Sequence, residues 1–323
     1  MKYKVIAIVV TYNRKELLLE CIGAILKQTY SIDKLILIDN CSTDGTADEL
    51  RDRKYIDNPK ILFIRTESNI GGAGGFYEGM LKAKEYQYDW LWIMDDDTIP
   101  AVNCLEKLIE AAIMVESAPI VEGLESAVKP SFFASAVYGV NGEFMNVPKI
   151  SKKKALNGYS YWYNFLDKGL INISMATFVS ILIKKEAINI CGLPCKDFFI
   201  WGDDSEYTTR LTEYYGDAYL VGASVVVHKR SSAKALSIKT ETDPRRIEMF
   251  SYQYRNSVII NRFYQKGYHT YIQVLLSLLS SIRYIGRKQG WIKAKTIIKG
   301  NLQSLYQYKR FKLYINGQIN KDK

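Results

Sequence analysis

Three consecutive carboxylates, Asp95-Asp96-Asp97, follow the apolar run Trp90-Leu91-Trp92-Ile93-Met94. Adjacent acids repel one another in a folded chain unless positive charge sits among them. Carboxylate oxygens are the hard ligands that Mg²⁺ and Mn²⁺ prefer, and Mg²⁺ usually also takes phosphate oxygens from a substrate. A solvated acidic turn explains an arbitrary triplet. The apolar run directly before this one favours a metal, because open α/β sheets bind ligands at the carboxyl ends of their strands. A second acidic cluster, Asp203-Asp204-x-Glu206, lies about a hundred residues further on. At a helix start the dipole accounts for one such acid, but hardly for three. If both clusters converge on one cleft, one holds a metal and the other acts as a base. His228 ends an apolar run and is one of two histidines; His269 sits in an aromatic-rich region without comparable context. A lone strand-end histidine is ordinarily just polar, unless its strand lies beside the acidic site.

The stretch Asn69-Ile70-Gly71-Gly72-Ala73-Gly74-Gly75-Phe76 carries four glycines in five positions. Glycine removes side chains where a backbone must approach something closely, and the helix start that follows suits phosphate or sugar hydroxyls. A flexible turn accounts for the glycines equally well. The stretch lacks the Gly-Lys-Ser/Thr ending of a triphosphatase loop and follows the third strand, which weakens a dinucleotide reading.

The elements that must position these groups read as βαβ units with a parallel sheet. Strands are predicted at Val5–Val10, Leu35–Ile38, Ile61–Ile64 and Leu91–Met94, with helices over Arg14–Lys27, after Ser42-Thr43-Asp44-Gly45, and over Gly75–Lys84 beyond a glycine loop. Pro100 is expected to start a helix to about Val115. Phe132–Val140 and Ile173–Ile183 are rich in β-branched and aromatic residues, with a hairpin-type turn at Asn141-Gly142. The aromatic cluster Tyr159-Ser160-Tyr161-Trp162-Tyr163 serves either the substrate or packing. A helix after Glu206 runs to about Tyr215, a strand covers Tyr219–Val227, and the chain from about Ser231 looks helical and basic.

Taken in order, these motifs resemble the family 2 glycosyltransferases, inverting nucleotide-sugar enzymes of the GT-A fold. The resemblance runs from about Lys4 to Arg230. It rests on Val9-Val10-Thr11-Tyr12-Asn13-Arg14, Ile38-Asp39-Asn40-x-Ser42-Thr43-Asp44-Gly45, the loop Asn69 to Phe76, Asp95-Asp96-Asp97-x-x-Pro100 and Trp201-x-Asp203-Asp204-x-Glu206. The last three are similar to the galactofuranosyltransferase and rhamnosyltransferase branch. The resemblance implies an α/β GT-A domain over residues 1–230, a mixed sheet flanked by helices, and a basic helical extension over 231–323. It implies that Thr11, Tyr12, Asn13, Arg14 and Asp39 hold the donor's base and ribose, with Asn69, Gly71, Gly72, Gly74 and Gly75 also on the donor. Asp95, Asp97 and His228 match the ligands of a divalent metal, Mn²⁺ or Mg²⁺. Asp96 is expected on the sugar or ribose and Asp204 as catalytic base. Trp201, Asp203 and Glu206 are expected at the acceptor side. The implied reaction moves a sugar from a nucleotide diphosphate to a hydroxyl of a lipid-linked bacterial surface glycan. Galactofuranose is the expected sugar, with dTDP-rhamnose the alternative.

The chain's 323 residues, 48% hydrophobic, support a substantial core. Its net charge of +10 is local: residues 283–323 hold eleven Lys and Arg against Asp322, and the rest is neutral. With Thr270–Ile285 apolar except for a stripe at Gln273, Ser277, Ser280, Tyr284 and Arg287, this tail predicts amphipathic helices with a cationic surface. They would dock on anionic lipid, or form a helical cap or homodimer interface. A nucleic-acid-binding protein is disfavoured, because no recognised motif accompanies the basic tail. An inactive nucleotide-sugar sensor would have no need of a base at Asp204. The six-residue run Val5–Val10 is short for a signal peptide, and no apolar run reaches the length of a spanning helix. The five scattered cysteines suggest reduced thiols in a cytoplasm, and Cys191 and Cys195 lack companions for zinc. The expected location is cytoplasmic, peripheral at the inner face of the membrane.

Overall fold

The structure, a computed structural model, describes residues 2–119, 128–230, 236–265 and 268–319. The expected start of the helical region at 231–235 and the tail residues Lys321, Asp322 and Lys323 lie outside the described residues.

The amino-terminal part is built as the apolar runs require. Strand β1 (Val5–Thr11) is followed by α1 (Lys15–Leu26), β2 (Lys34–Asp39), α2 (Thr46–Asp52), β3 (Ile61–Arg65), α3 (Gly71–Ala83) and β4 (Trp90–Asp95). These four strands are parallel, in the order β3-β2-β1-β4. Helices cover both faces, so the strands are apolar throughout rather than alternating. Val5, Ala7, Val9, Trp90, Trp92 and Met94 enter one core with α1. Ile6, Ile8, Val10, Leu91 and Ile93 enter the other with α3.

Next come β5 (Thr98–Pro100), α4 (Cys104–Ser117), β6 (Pro130–Tyr138), β7 (Lys149–Ile150), β8 (Leu170–Met175), β9 (Ile181–Lys184), α5 (Lys185–Cys191), α6 (Asp203–Tyr214) and β10 (Asp217–His228). They extend the sheet as β4-β9-β6-β10-β8-β7, where β9 is antiparallel to both β4 and β6, and β10 is parallel to β6. Two expectations are corrected. The helix begins at Gly71, so the glycines open it rather than precede it. Pro100 ends a strand rather than starting a helix, because Thr98–Pro100 pairs antiparallel with β10, and the helix begins at Cys104. The turn at Asn141-Gly142 forms: Gly139 N–H donates to the Glu143 carbonyl at 2.8 Å.

Three helices complete the chain: α7 (Pro244–Tyr264), α8 (His269–Ile282) and α9 (Gly290–Gln318). Phe311, Ile315 and Ile319 of the last segment share a small core with Ala73, Cys195, Phe198 and Ile259. Cys21, Cys104, Cys191 and Cys195 are buried free thiols, whereas Cys41 is partly exposed. Among the described residues, no helix is long and apolar enough to cross a membrane.

Candidate active site

The parallel strands β1, β2 and β4 end together, their register pairing Thr11 with Asp39 and Val10 with Asp95. The chain turns through Asp96 and Asp97 into β5, where Thr98 pairs with His228. That short ladder brings the distant histidine to the acidic triplet. Asp95, Asp97 and His228 each offer one ligand atom, all within 4.8 Å of one another. His228 Nδ1 lies 2.9 Å from Asn146 Oδ1. An amide oxygen only accepts, so Nδ1 carries a proton and, in the neutral ring, Nε2 presents a lone pair. That nitrogen is 3.0 Å from Asp97 Oδ1, an oxygen with no hydrogen-bond partner among the described residues. That contact is bridged either by a proton on Nε2, the imidazolium–carboxylate pair that lowers Asp97, or by a metal cation. The donors, two carboxylates and an imidazole oriented by an outer amide, fit a divalent metal.

Burial and the neighbouring charges of Asp97 and Asp96 push Asp95 well above the usual carboxylate range. Asp96 is raised to about 6 by burial, against the pull of Arg14. Burial also acts to raise Asp97, but His228 and Arg14 outweigh it and leave this carboxyl below the ordinary value. Arg14 Nη1 donates to Asp97 Oδ2 at 2.6 Å and to Asp96 Oδ1 at 3.2 Å. Thr11 Oγ1 donates to Asp96 Oδ2 at 2.7 Å. Asp96 is thereby turned onto Thr11 and Arg14, outside the ligand group.

Opposite stands the segment Phe198–Gly202, with positive φ at Phe199 (63°), Trp201 (61°) and Gly202 (93°). Its carbonyls are held by α7. Asn256 Nδ2 donates to the carbonyls of Phe198, Ile200 and Trp201 at 3.1, 3.2 and 2.7 Å. On the other side, the Phe199 carbonyl accepts from Ala73 N–H at 3.1 Å. A Cβ on Gly71, whose φ is +74°, would lie 2.1 Å from that carbonyl oxygen, so only glycine fits there. A Cβ on Gly75 would lie 2.4 Å from Val10. The helix α6 then starts with Asp203 and Asp204. Burial, followed by the charge of Asp204, raises Asp203 to about 8. Burial raises Asp204 too, while backbone N–H groups at the helix start hold it down. The Ser205 N–H donates to Asp204 Oδ1 at 2.6 Å. Asp203 thus holds its proton more tightly than an ordinary carboxyl, while the backbone donors at the helix start favour the charged form of Asp204.

Both acid groups line one cleft of about 1000 Å³. Residues 6–115 match the Glycosyl transferase family 2 domain. The chain is 28% identical over 214 residues, 64% of its length, to Galactofuranosyltransferase GlfT1 of Mycolicibacterium smegmatis. Residues 6–115 thus carry a family 2 glycosyl transferase domain. The match spans 65% of that relative's length. Glycosyltransferase GlyG of Streptococcus pneumoniae is 28% identical over 182 residues, 56% of this chain and 57% of that one. Among solved structures, GalNAc-T7 with UDP, GalNAc and Mn²⁺ superposes with a TM-score of 0.60 at 15% identity, covering 97% of this chain and 57% of that one. The fold is GT-A, as the motifs implied.

Most expected residues meet. Thr11, Tyr12, Arg14, Asn69, Gly71, Gly72, Asp95, Asp96, Asp97, Trp201, Asp203, Asp204 and His228 line the cleft. Others stand behind it. Asn13 Oδ1 accepts from Thr43 N–H at 2.7 Å, and Gly74 and Gly75 are buried in α3. Asp39 is fully buried, accepts from Ser42 N–H at 2.9 Å through Oδ1 and lies 3.7 Å from Arg65 Nε through Oδ2. Glu206 corrects an expectation: it faces inward, fully buried, onto Arg210 Nη2 at 2.8 Å and the Tyr264 hydroxyl at 2.7 Å, away from the acceptor side. The aromatic cluster is also elsewhere, with the Tyr161 hydroxyl donating to Asp217 Oδ1 at 3.0 Å. Sequence reasoning missed Asn146, Phe199, Arg230, Arg245, Tyr252 and Lys299, which line the cleft. Asn146 carries no local signal; it reaches His228 only because the hairpin after β6 folds back.

Proposed function

We propose that the chain is an inverting, metal-dependent glycosyltransferase that moves galactofuranose from UDP-galactofuranose to a hydroxyl of a lipid-linked bacterial glycan. One observation carries this reading: the ligand group Asp95, Asp97 and His228 and the carboxyl pair Asp203–Asp204 face one cleft from separate elements. When bound, the cation would neutralise the diphosphate and make it a competent leaving group. Asp95, Asp97 and His228 would hold it, with Asn146 fixing the histidine tautomer. Asp204 takes the acceptor proton as the hydroxyl attacks from the face opposite the leaving group, which inverts the anomeric carbon. Asp96, held by Thr11 and Arg14, faces the donor sugar or ribose. Tyr12 is assigned to the nucleoside, with Asp39 buried behind the cleft at the end of β2. Gly72, where added side-chain bulk meets nothing, leaves room beside the diphosphate. The likeness to GlfT1 supports galactofuranose as the donor sugar.

The test is calorimetric titration of the chain with UDP and dTDP, with Mn²⁺ and with chelator, followed by product analysis with UDP-galactofuranose and dTDP-rhamnose. Mn²⁺-dependent UDP binding and galactofuranose transfer support the proposal. Preference for the dTDP donor moves it to a rhamnosyltransferase, and binding of neither nucleotide overturns it.

A further inference from the structure

Helix α8 is turned against its own polarity. Gln273 Nε2 donates to Ser257 Oγ at 3.1 Å, Asn261 Nδ2 donates to Gln273 Oε1 at 2.6 Å, and Ser277 Oγ donates to Asn301 Oδ1 at 3.0 Å. The polar stripe thus faces α7 and α9. The opposite side stands in solvent, with Leu275, Leu276, Leu279 and Ile282 each between 50 and 60% exposed. On α9, Ile298, Leu302 and Leu305 flank Asn301 and are also exposed. Since Asn301 marks the side of α9 that meets α8, the two helices present one apolar face. A patch of this kind on a folded chain marks an interface with a partner or a membrane.

The charge around it selects between these. Residues 249–321 contain no Asp or Glu, while Arg283, Arg287 and Lys288 follow α8 directly and Lys295 lies one turn before Ile298 on α9. A second copy pairing through this face would bring its own cations together with no acid to offset them. We infer that the α8–α9 face docks an anionic lipid bilayer, lying in the headgroup–acyl boundary with the leucines inward and the basic residues on the phosphates. The shape agrees, since no described helix crosses a membrane. The docking face also adjoins the cleft. Lys299 and Gln303, each next in sequence to an exposed apolar residue of α9, line the cleft wall. Resting on the lipid-linked acceptor proposed above, this brings the carrier's glycan to Asp204 from the bilayer surface.

The test is co-sedimentation of the full chain with vesicles of phosphatidylcholine alone and with added phosphatidylglycerol, at low and high salt. The parent is compared with a triple variant, Leu276→Ser, Leu279→Ser and Leu302→Ser. The expected result is binding to anionic over neutral vesicles, weakened by salt and reduced about tenfold or more in the triple variant. Circular dichroism and Tm of the variant should match the parent, because these side chains are exposed. Binding of UDP with Mn²⁺, measured on the same samples, should also be unchanged, so failure of docking is separable from failure of the transferase reading. Three results overturn the inference: no vesicle binding by the parent, equal binding to neutral vesicles, or a concentration-dependent dimer that the triple variant dissolves in place of any vesicle binding.

Discussion

Asp204, the proposed base, adjoins Asp203, whose carboxyl burial raises to about 8. Two adjacent buried carboxyls do not readily ionise together, and the one that backbone N–H groups favour takes the charge. Asp204→Asn should lower transfer by about 10²–10⁴-fold while leaving UDP–Mn²⁺ affinity intact, measured by initial rates beside calorimetry. In the parent, a base must be ionised to act, so rate falls as pH drops through the pKa of Asp204. Burial raises that pKa, so the acidic limb of a pH–rate profile should lie above the ordinary carboxylate range near 4. Asn146→Ala removes the acceptor that fixes the His228 tautomer, and Mn²⁺ affinity should weaken by about 10–100-fold, read by metal titration. Glu206 belongs to a different ledger. Its loss leaves Arg210 buried without its partner, so Glu206→Ala should cost about 3–5 kcal/mol of stability in a denaturant titration. The acidic triplet and the Asp203-Asp204 pair were legible because apolar runs and a helix start framed them. Glu206 misled because a spacing of three from Asp203 looks like a shared cluster, yet on α6 it turns the side chain toward Arg210, one helical turn further on.

At the scale of elements, the strained segment Phe198–Gly202 is a junction. It meets the glycine start of α3 through the Phe199 carbonyl and α7 through Asn256. Asn256→Ala leaves the Ile200 and Trp201 carbonyls without their donor, and Asn256→Asp keeps the shape but loses the N–H groups. Both should lower stability by about 1–3 kcal/mol and reduce kcat with little change in UDP–Mn²⁺ affinity, a split that loss of packing alone would not give. The parallel strands were readable because burial on both faces makes their sequences apolar without alternation. Strand β5 was not. A proline after a turn suits a helix start as well as a strand end, and only the pairing of Thr98 with His228 decides between them. The glycine stretch was misplaced by one turn for a related reason. Its residues read as breakers in isolation, but close approach to Phe199 and Val10 makes them the packing surface of a helix.

For the whole molecule, topology and packing divide the chain differently. The sheet closes with β10 at His228, yet α7 and α9 supply Asn256, Ile259, Phe311 and Ile315 to contacts beneath the cleft. A chain ending at residue 230 would expose Ala73, Cys195 and Phe198 and free the junction. It should lose the cooperative thermal transition of the full chain, seen by calorimetry, rather than persist as an active transferase. The mixed half of the sheet was only partly legible, because inserting β9 between β4 and β6 depends on long-range antiparallel pairing that no local pattern encodes.

The distribution of thiols has a practical side. Four of the five cysteines are sealed in the interior, and Cys41, two residues beyond Asp39, is the partly exposed one. A maleimide dye would therefore attach at one native position, just beyond the end of β2. The wild-type chain thus comes with its own optical reporter, in which a change of emission on adding nucleotide would follow donor arrival in real time without any engineered residue.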